Sequence, residues 1–142
     1  MQNEISPKTK KLLVFILIVG CFFSTLNQTL LNVALSELMQ IFSVTPATIQ
    51  WLATGFMLVN GVLVPITAYL MKRFSTRKMF ISSMVFLLVG SIVAACAPNF
   101  GTLLAGRMIQ AAGAGIILPL MMTVIVYLYP AEQRGAIMGK MG

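Results

Sequence analysis

Apolar residues in this chain come in long runs with few polar interruptions rather than at alternating or helical-face positions. The runs cover residues 12–35, 51–71, 79–97 and 102–129. Each is close to the roughly 20 residues that a helix needs to cross a hydrocarbon core about 30 Å thick. Between the first two, residues 36–50 include Ser43, Thr45 and Pro46, which form turns. Residues 98–101 hold Pro98, Asn99 and Gly101, a tight turn that sets the third and fourth runs side by side as an antiparallel pair. The pattern therefore predicts an all-α integral membrane fold with four transmembrane helices, preceded by residues 1–11 and followed by residues 130–142.

Composition points the same way. The chain is 58% hydrophobic and 9% charged over 142 residues, whereas soluble domains carry about 25% charged residues. The missing solvent is lipid, and the bilayer is the first partner. Residues Lys8, Lys10 and Lys11 ahead of an apolar run resemble a secretory leader, with Ala34, Leu35 and Ser36 as a cleavage site. The polar stretch Asn27, Gln28, Thr29 and Asn32 interrupts that run before the site, so a retained first helix is expected. Two cysteines, Cys21 and Cys96, provide no disulfide framework, and without histidine no zinc site is expected. No phosphate-cradling glycine loop, nucleophile with a histidine base or paired carboxylates is present, since Glu4, Glu37 and Glu132 all lie outside the runs. An enzyme and a bound cofactor are not expected.

Charge then orients the helices. Lys8, Lys10 and Lys11 precede the first run, Lys72, Arg73, Arg77 and Lys78 link the second and third, and Arg134 and Lys140 follow the fourth. The two intervening connections have no basic residue. Basic loops stay in the cytoplasm, which predicts a multi-pass protein of the cell membrane with a cytoplasmic N-terminus. The net charge of +7 belongs to this bias and not to a nucleic-acid partner. Trp51 at one boundary and Tyr69, Tyr127 and Tyr129 at the other fit aromatic belts.

The tenth basic residue, Arg107, falls inside the fourth run. Arginine in a bilayer costs at least a few kcal/mol unless it faces protein or water, so it marks a functional position or else snorkels to the outer interface. Gln110 lies one turn away on the same face. In the first run Ser24, Thr25, Gln28 and Asn32 share one stripe with Asn27 beside it. Equal depth predicts that Gln28 and Asn32 meet Arg107. Ser24, Asn27, Gln28, Asn32 and Asn60 are the candidate cavity-lining residues, against the alternative that such amides only bridge helices. Ala111 to Gly115 form a small-residue surface ahead of Pro119, a kink position, and Gly61 with Pro65 predict a closely packed, bendable second helix.

Three segments resemble one family. Leu26, Asn27, Gln28, Thr29, Leu30, Leu31, Asn32, Val33, Ala34 and Leu35 resemble the first-helix signature L-D-x-T-I-V-N-V-A-L-P of the fourteen-helix drug:proton antiporters of the major facilitator superfamily, the EmrB/QacA type. Asn27 stands at the aspartate position and Ser36 at the proline. Residues 103–115 resemble motif B, l-x-x-R-x-x-Q-G-x-G-a, with Arg107 and Gln110 at its arginine and glutamine and Ala111 at its first glycine. Residues 68–78 resemble motif A, G-x-L-a-D-r-x-G-r-k, with Ala68, Lys72 and Ser75 replacing its first glycine, its aspartate and its second glycine, while Lys72, Arg73, Arg77 and Lys78 keep the loop basic. Residues 50–68 look like the second helix of the lincomycin-resistance, LmrB-like, branch.

The resemblance implies the start of an N-terminal six-helix bundle in an exporter of hydrophobic or cationic drugs. It implies alternating access driven by protons, with Arg107 and Gln110 in proton coupling and the remaining helices of the full-length transporter as partners. Residues 135–142 read as the start of a fifth helix cut short, with Gly135 and Gly139 as a close-packing pair. The chain alone is therefore not expected to transport. The alternatives are a complete four-helix small multidrug transporter, whose first-helix glutamate is missing here, and a non-transporting scaffold or truncated relic.

Overall fold

The computed structural model describes residues 6–141, so Glu4 and the rest of residues 1–5 lie outside the described residues, as do Gly142 and the side chains of Lys140 and Met141. The described residues form six helices: α1 Pro7–Ile41, α2 Pro46–Ile49, α3 Trp51–Leu70, α4 Thr76–Ala95, α5 Phe100–Leu128 and α6 Ala131–Met141. Four stretches are long and apolar enough to span a membrane: Pro7–Ile41, Pro46–Leu70, Thr76–Ala95 and Phe100–Leu128.

Helix α1 overruns its apolar stretch at both ends. Pro7 sits in its first turn, where the missing N–H is no loss, and lysines continue the helix outward. At the other end Ser36, Glu37 and Gln40 are as acceptable to a helix as the apolar residues before them. The helix stops at Ser43, whose φ of 51° is left-handed. There Ser43 N donates to Gln40 O at 3.2 Å and Val44 N to Met39 O at 3.1 Å, a Schellman closure without the usual glycine. Thr45 then caps α2 by accepting from Thr48 N at 3.2 Å. Asn99 caps α5, its Oδ1 accepting from Thr102 N at 2.9 Å. At the far end of α5, Arg134 reaches back from α6, with Nε donating to Tyr129 O at 3.0 Å and Nη2 to Val126 O at 2.9 Å. A cation thereby satisfies carbonyls at the negative end of the helix.

Helix α5 is the centre, packed against α1, α3 and α4. Lipid gives no hydrophobic drive between helices, so close approach depends on small residues. A Cβ on Gly106 would lie 2.7 Å from Ala94 N and 2.9 Å from Gly90 O, and one on Gly113 would lie 2.6 Å from Ser83 O. The backbones of α4 and α5 therefore touch, and the small-residue surface extends from residues 111–115 back to Gly106 and across to Gly90. The expected close packing at Gly61 is not observed: nothing lies within 4 Å of a Cβ placed there. The buried face of α3 carries Leu52, Gly55, Phe56 and Thr67, and Gly61 is turned away from it. Gly135 and Gly139 likewise have nothing within 4 Å.

Pro119 has a specific consequence. It has no N–H for the carbonyl four residues earlier, Gly115 O, and the fully buried Thr67 hydroxyl donates to that oxygen from α3 at 3.4 Å. Large apolar side chains point outward along the spanning helices, as at Phe22, Phe23, Val33, Leu88 and Tyr127, which suits lipid.

Leu17, Met79, Val124 and Ile125 cluster at one end with Leu70 and Leu128. Ile49, Leu52 and Leu103 cluster at the other end with Leu35 and Leu38. Residues 71–75 and the start of α1 thus share an end. In a chain lacking Cys21 and Cys96, an impermeant maleimide is expected to label Thr45→Cys in intact cells and Ser75→Cys only after permeabilisation. Labelling of Ser75→Cys in intact cells would reverse the orientation.

Candidate functional site

Arg107 projects into the bundle and is 1% exposed, which removes the snorkelling alternative. Its Nη1 donates to Gln110 Oε1 at 2.7 Å and to Asn27 Oδ1 of α1 at 3.0 Å. Gln110 Nε2 in turn donates to Ser91 Oγ of α4 at 2.9 Å. On the α3 side the guanidinium carbon lies 4.5 Å from the centroid of the Phe56 ring, a cation–π contact in a desolvated setting. One side chain therefore ties together all four membrane-spanning helices. Gly90 makes the room for it, since a Cβ there would come within 2.6 Å of Gln110 Cγ and 2.7 Å of Gln110 N.

The expected partners Gln28 and Asn32 do not take part. Asn32 is exposed and Gln28 half-buried, and the hydrogen bond goes to Asn27. Helix α1 meets the bundle along Leu17, Gly20, Ser24, Asn27 and Leu31, a stripe repeating at three and four residues. Position 28 is rotated by about 100° from position 27, so a depth estimate finds the right turn of the helix and the wrong amide.

Ser24 joins Asn27 and Ser91 at the edge of an apolar cleft of about 500 Å³ between α1 and α4, walled by Phe23, Phe80 and Leu87. Asn60 lies apart from this cluster. Its Oδ1 is buried without a partner, 3.1 Å from where a Gly115 Cβ would stand. Lys72, Arg73, Arg77 and Lys78 are exposed at the α3–α4 connection, with the Arg73 guanidinium carbon 5.6 Å from the Tyr69 ring centroid. Ser91 and Phe56 are not among the residues that the sequence singles out. A serine beside a glycine inside an apolar run was a usable signal for the former, while nothing separates Phe56 from the lipid-facing phenylalanines until the helices are packed.

The family model described as Major Facilitator Superfamily matches residues 17–142. The chain belongs to the Major Facilitator Superfamily. It is 50% identical over 140 residues, 99% of the chain and 26% of the relative, to the "Uncharacterized MFS-type transporter YhcA" of Bacillus subtilis (strain 168). It is 43% identical over 135 residues, 95% of the chain and 28% of the relative, to the "Lincomycin resistance protein LmrB" of the same organism. To the "Multidrug export protein EmrB" of Haemophilus influenzae it is 32% identical over 124 residues, 87% of the chain and 24% of the relative. The chain thus spans about a quarter of these relatives' length. No solved structure matches it at a significant level. Membership in the Major Facilitator Superfamily points to a multi-pass membrane transporter rather than an enzyme.

Proposed function

We propose that the chain forms the first four spans of a proton-coupled multidrug efflux transporter of the cell membrane, which exports hydrophobic or cationic drugs by alternating access. The observation that carries this is the buried Arg107 linked to α1, α3 and α4 through Asn27, Phe56, Gln110 and Ser91. A buried charge held by contacts to every neighbouring helix senses any rearrangement among them, which coupling requires. Likeness to relatives named for lincomycin resistance and multidrug export supports the substrate class.

In this reading Arg107 and Gln110 serve coupling. Ser24, Asn27, Gln28, Asn32 and Asn60 line the path once further helices enclose it. Lys72, Arg73, Arg77 and Lys78 form the cytoplasmic motif A-like loop, and residues 130–142 lead into a fifth helix. Lipid, drug, protons and the remaining helices of the transporter are the partners.

The test uses everted membrane vesicles holding the whole transporter, with a fluorescent lipophilic cation and lincomycin as probes. Accumulation that collapses when a protonophore is added is the expected result. Vesicles with only the 142-residue chain should accumulate neither, because the substrate site of this architecture lies between repeats that rock against each other. Accumulation by the whole protein that is indifferent to the protonophore would refute proton coupling, and failure to move either probe would refute the substrate class.

A further inference from the structure

Among the described residues, each group that hydrogen-bonds or stacks on the Arg107 guanidinium is one that cannot change its charge. From α1 the contact is Asn27, from α5 Gln110, from α4 Ser91 through Gln110, and from α3 the Phe56 ring. The three carboxylates of the chain are Glu4, Glu37 and Glu132, so residues 38–131 contain none. Glu37 is exposed near the end of α1, nearly three turns from Asn27. The other titratable groups on the packed helices make none of these contacts: Lys8, Lys10, Lys11 and Cys21 on α1, Tyr69 at the end of α3, Arg77 and Lys78 at the start of α4, Cys96 just past it, and Tyr127 near the end of α5. A buried cation is ordinarily held by a carboxylate, and protonating that carboxylate releases it. Here no described residue can do so.

We infer that Asn27, Gln110, Ser91 and Phe56 form a non-titrating cage that holds Arg107 as a permanently charged anchor, with Phe56 and Ser91 as its positioning residues. Each member has a distinct task. Asn27 and Gln110 fill the acceptor requirement of Nη1, and Ser91 fixes the Gln110 amide so that its oxygen, not its nitrogen, faces the guanidinium. Nε has no hydrogen-bond partner and is sealed from outside, and the ring face of Phe56 supplies the remaining stabilisation of the charge. The consequence for transport rests on the reading above: protons that drive the cycle bind outside this seam, and Arg107 transmits movement without exchanging a proton. The charge state and geometry of the cage do not depend on that reading, so the test is spectroscopic and involves no transport.

The test is the ¹H–¹⁵N signal of the arginine Nε–H groups in the intact chain reconstituted in lipid nanodiscs, with the Arg107 signal assigned by its loss in Arg107→Lys. The expected Arg107 signal exchanges with water at least about tenfold more slowly than those of exposed Arg73 and Arg77, and holds its position between about pH 5 and pH 9. Ser91→Ala and Phe56→Leu should each speed its exchange about tenfold, and Phe56→Tyr, which keeps the ring, should not. Asn27→Asp should make the signal pH-dependent by placing a titratable group in the cage. A titration in the unsubstituted chain, fast exchange of its Arg107 signal, or indifference to both Ser91→Ala and Phe56→Leu would each overturn the inference, whatever the outcome of the export assays.

Discussion

Arg107→Ala in the whole transporter is expected to reduce drug export at least about 100-fold while leaving membrane insertion and amount of protein near normal. The loss follows from two hydrogen bonds to a charged donor, about 1.5–3 kcal/mol each, with about 1.4 kcal/mol corresponding to tenfold. The spared folding follows from an offset. Removing the arginine also removes a desolvated charge, and deleting a buried ion together with its demands is far less harmful than deleting one partner of a pair. The oxygens of Asn27 and Gln110 both accept from the same nitrogen, at 3.0 and 2.7 Å, so when the guanidinium is gone a turn of the Asn27 amide lets its Nδ2–H donate to Gln110 Oε1. Arg107→Lys should restore export only in part, because an ammonium is a point charge and cannot reach the Phe56 ring while serving both amides as the wider guanidinium does. Export rates compared at equal protein in everted vesicles give the answer. Export by Arg107→Ala within about threefold of the parent would reduce the cluster to a packing device.

The second large effect is expected at the α4–α5 seam. Gly106→Ala places a methyl 2.7 Å from Ala94 N and 2.9 Å from Gly90 O, and Gly90→Ala places one 2.7 Å from Gly106 O. These neighbours are backbone and cannot rotate away, so the helices must separate along the contact that brings Gln110 to Ser91. Overpacking of this kind costs about 1–3 kcal/mol, and dispersion lost along a separated seam adds to it. Gly61→Ala is the internal control. With nothing within 4 Å of the new methyl, only helix propensity changes, which favours alanine by up to about 1 kcal/mol. Titration of the reconstituted chain with sodium dodecyl sulfate, followed by loss of helicity, should order the variants as Gly61→Ala at or above the parent and Gly106→Ala and Gly90→Ala well below. Coincident curves for Gly106→Ala and the parent would mean that the helices are not in backbone contact.

Much of the fold was legible in the sequence because a bilayer selects on quantities that add up along the chain. Twenty apolar residues in a row need no knowledge of their neighbours to favour lipid, and nine basic residues at one set of connections need none to favour one side. Helix ends were less legible. Hydropathy marks where the membrane ends, while the helix continues until the backbone itself is turned, at Ser43 for α1. Glycine and proline are ambiguous for the same reason. Their presence in an apolar run predicts close packing or bending somewhere, and Gly106 and Gly113 are packed against backbone while Gly61 faces open space.

The sequence by itself determined that Arg107 and Gln110 belong together, because they are one turn apart on one helix and that spacing is local. It also determined that a polar stripe on the first helix lies at a matching depth, because rise per residue is fixed. Only the tertiary structure decided that Asn27, and not Gln28 or Asn32, meets the guanidinium, that Ser91 holds Gln110, that Phe56 lies under the charge, and that Thr67 serves the carbonyl left open by Pro119. Depth in the membrane is set by counting along one chain. Rotation about the helix axis is set by which small residues let two backbones touch, and that depends on both helices at once.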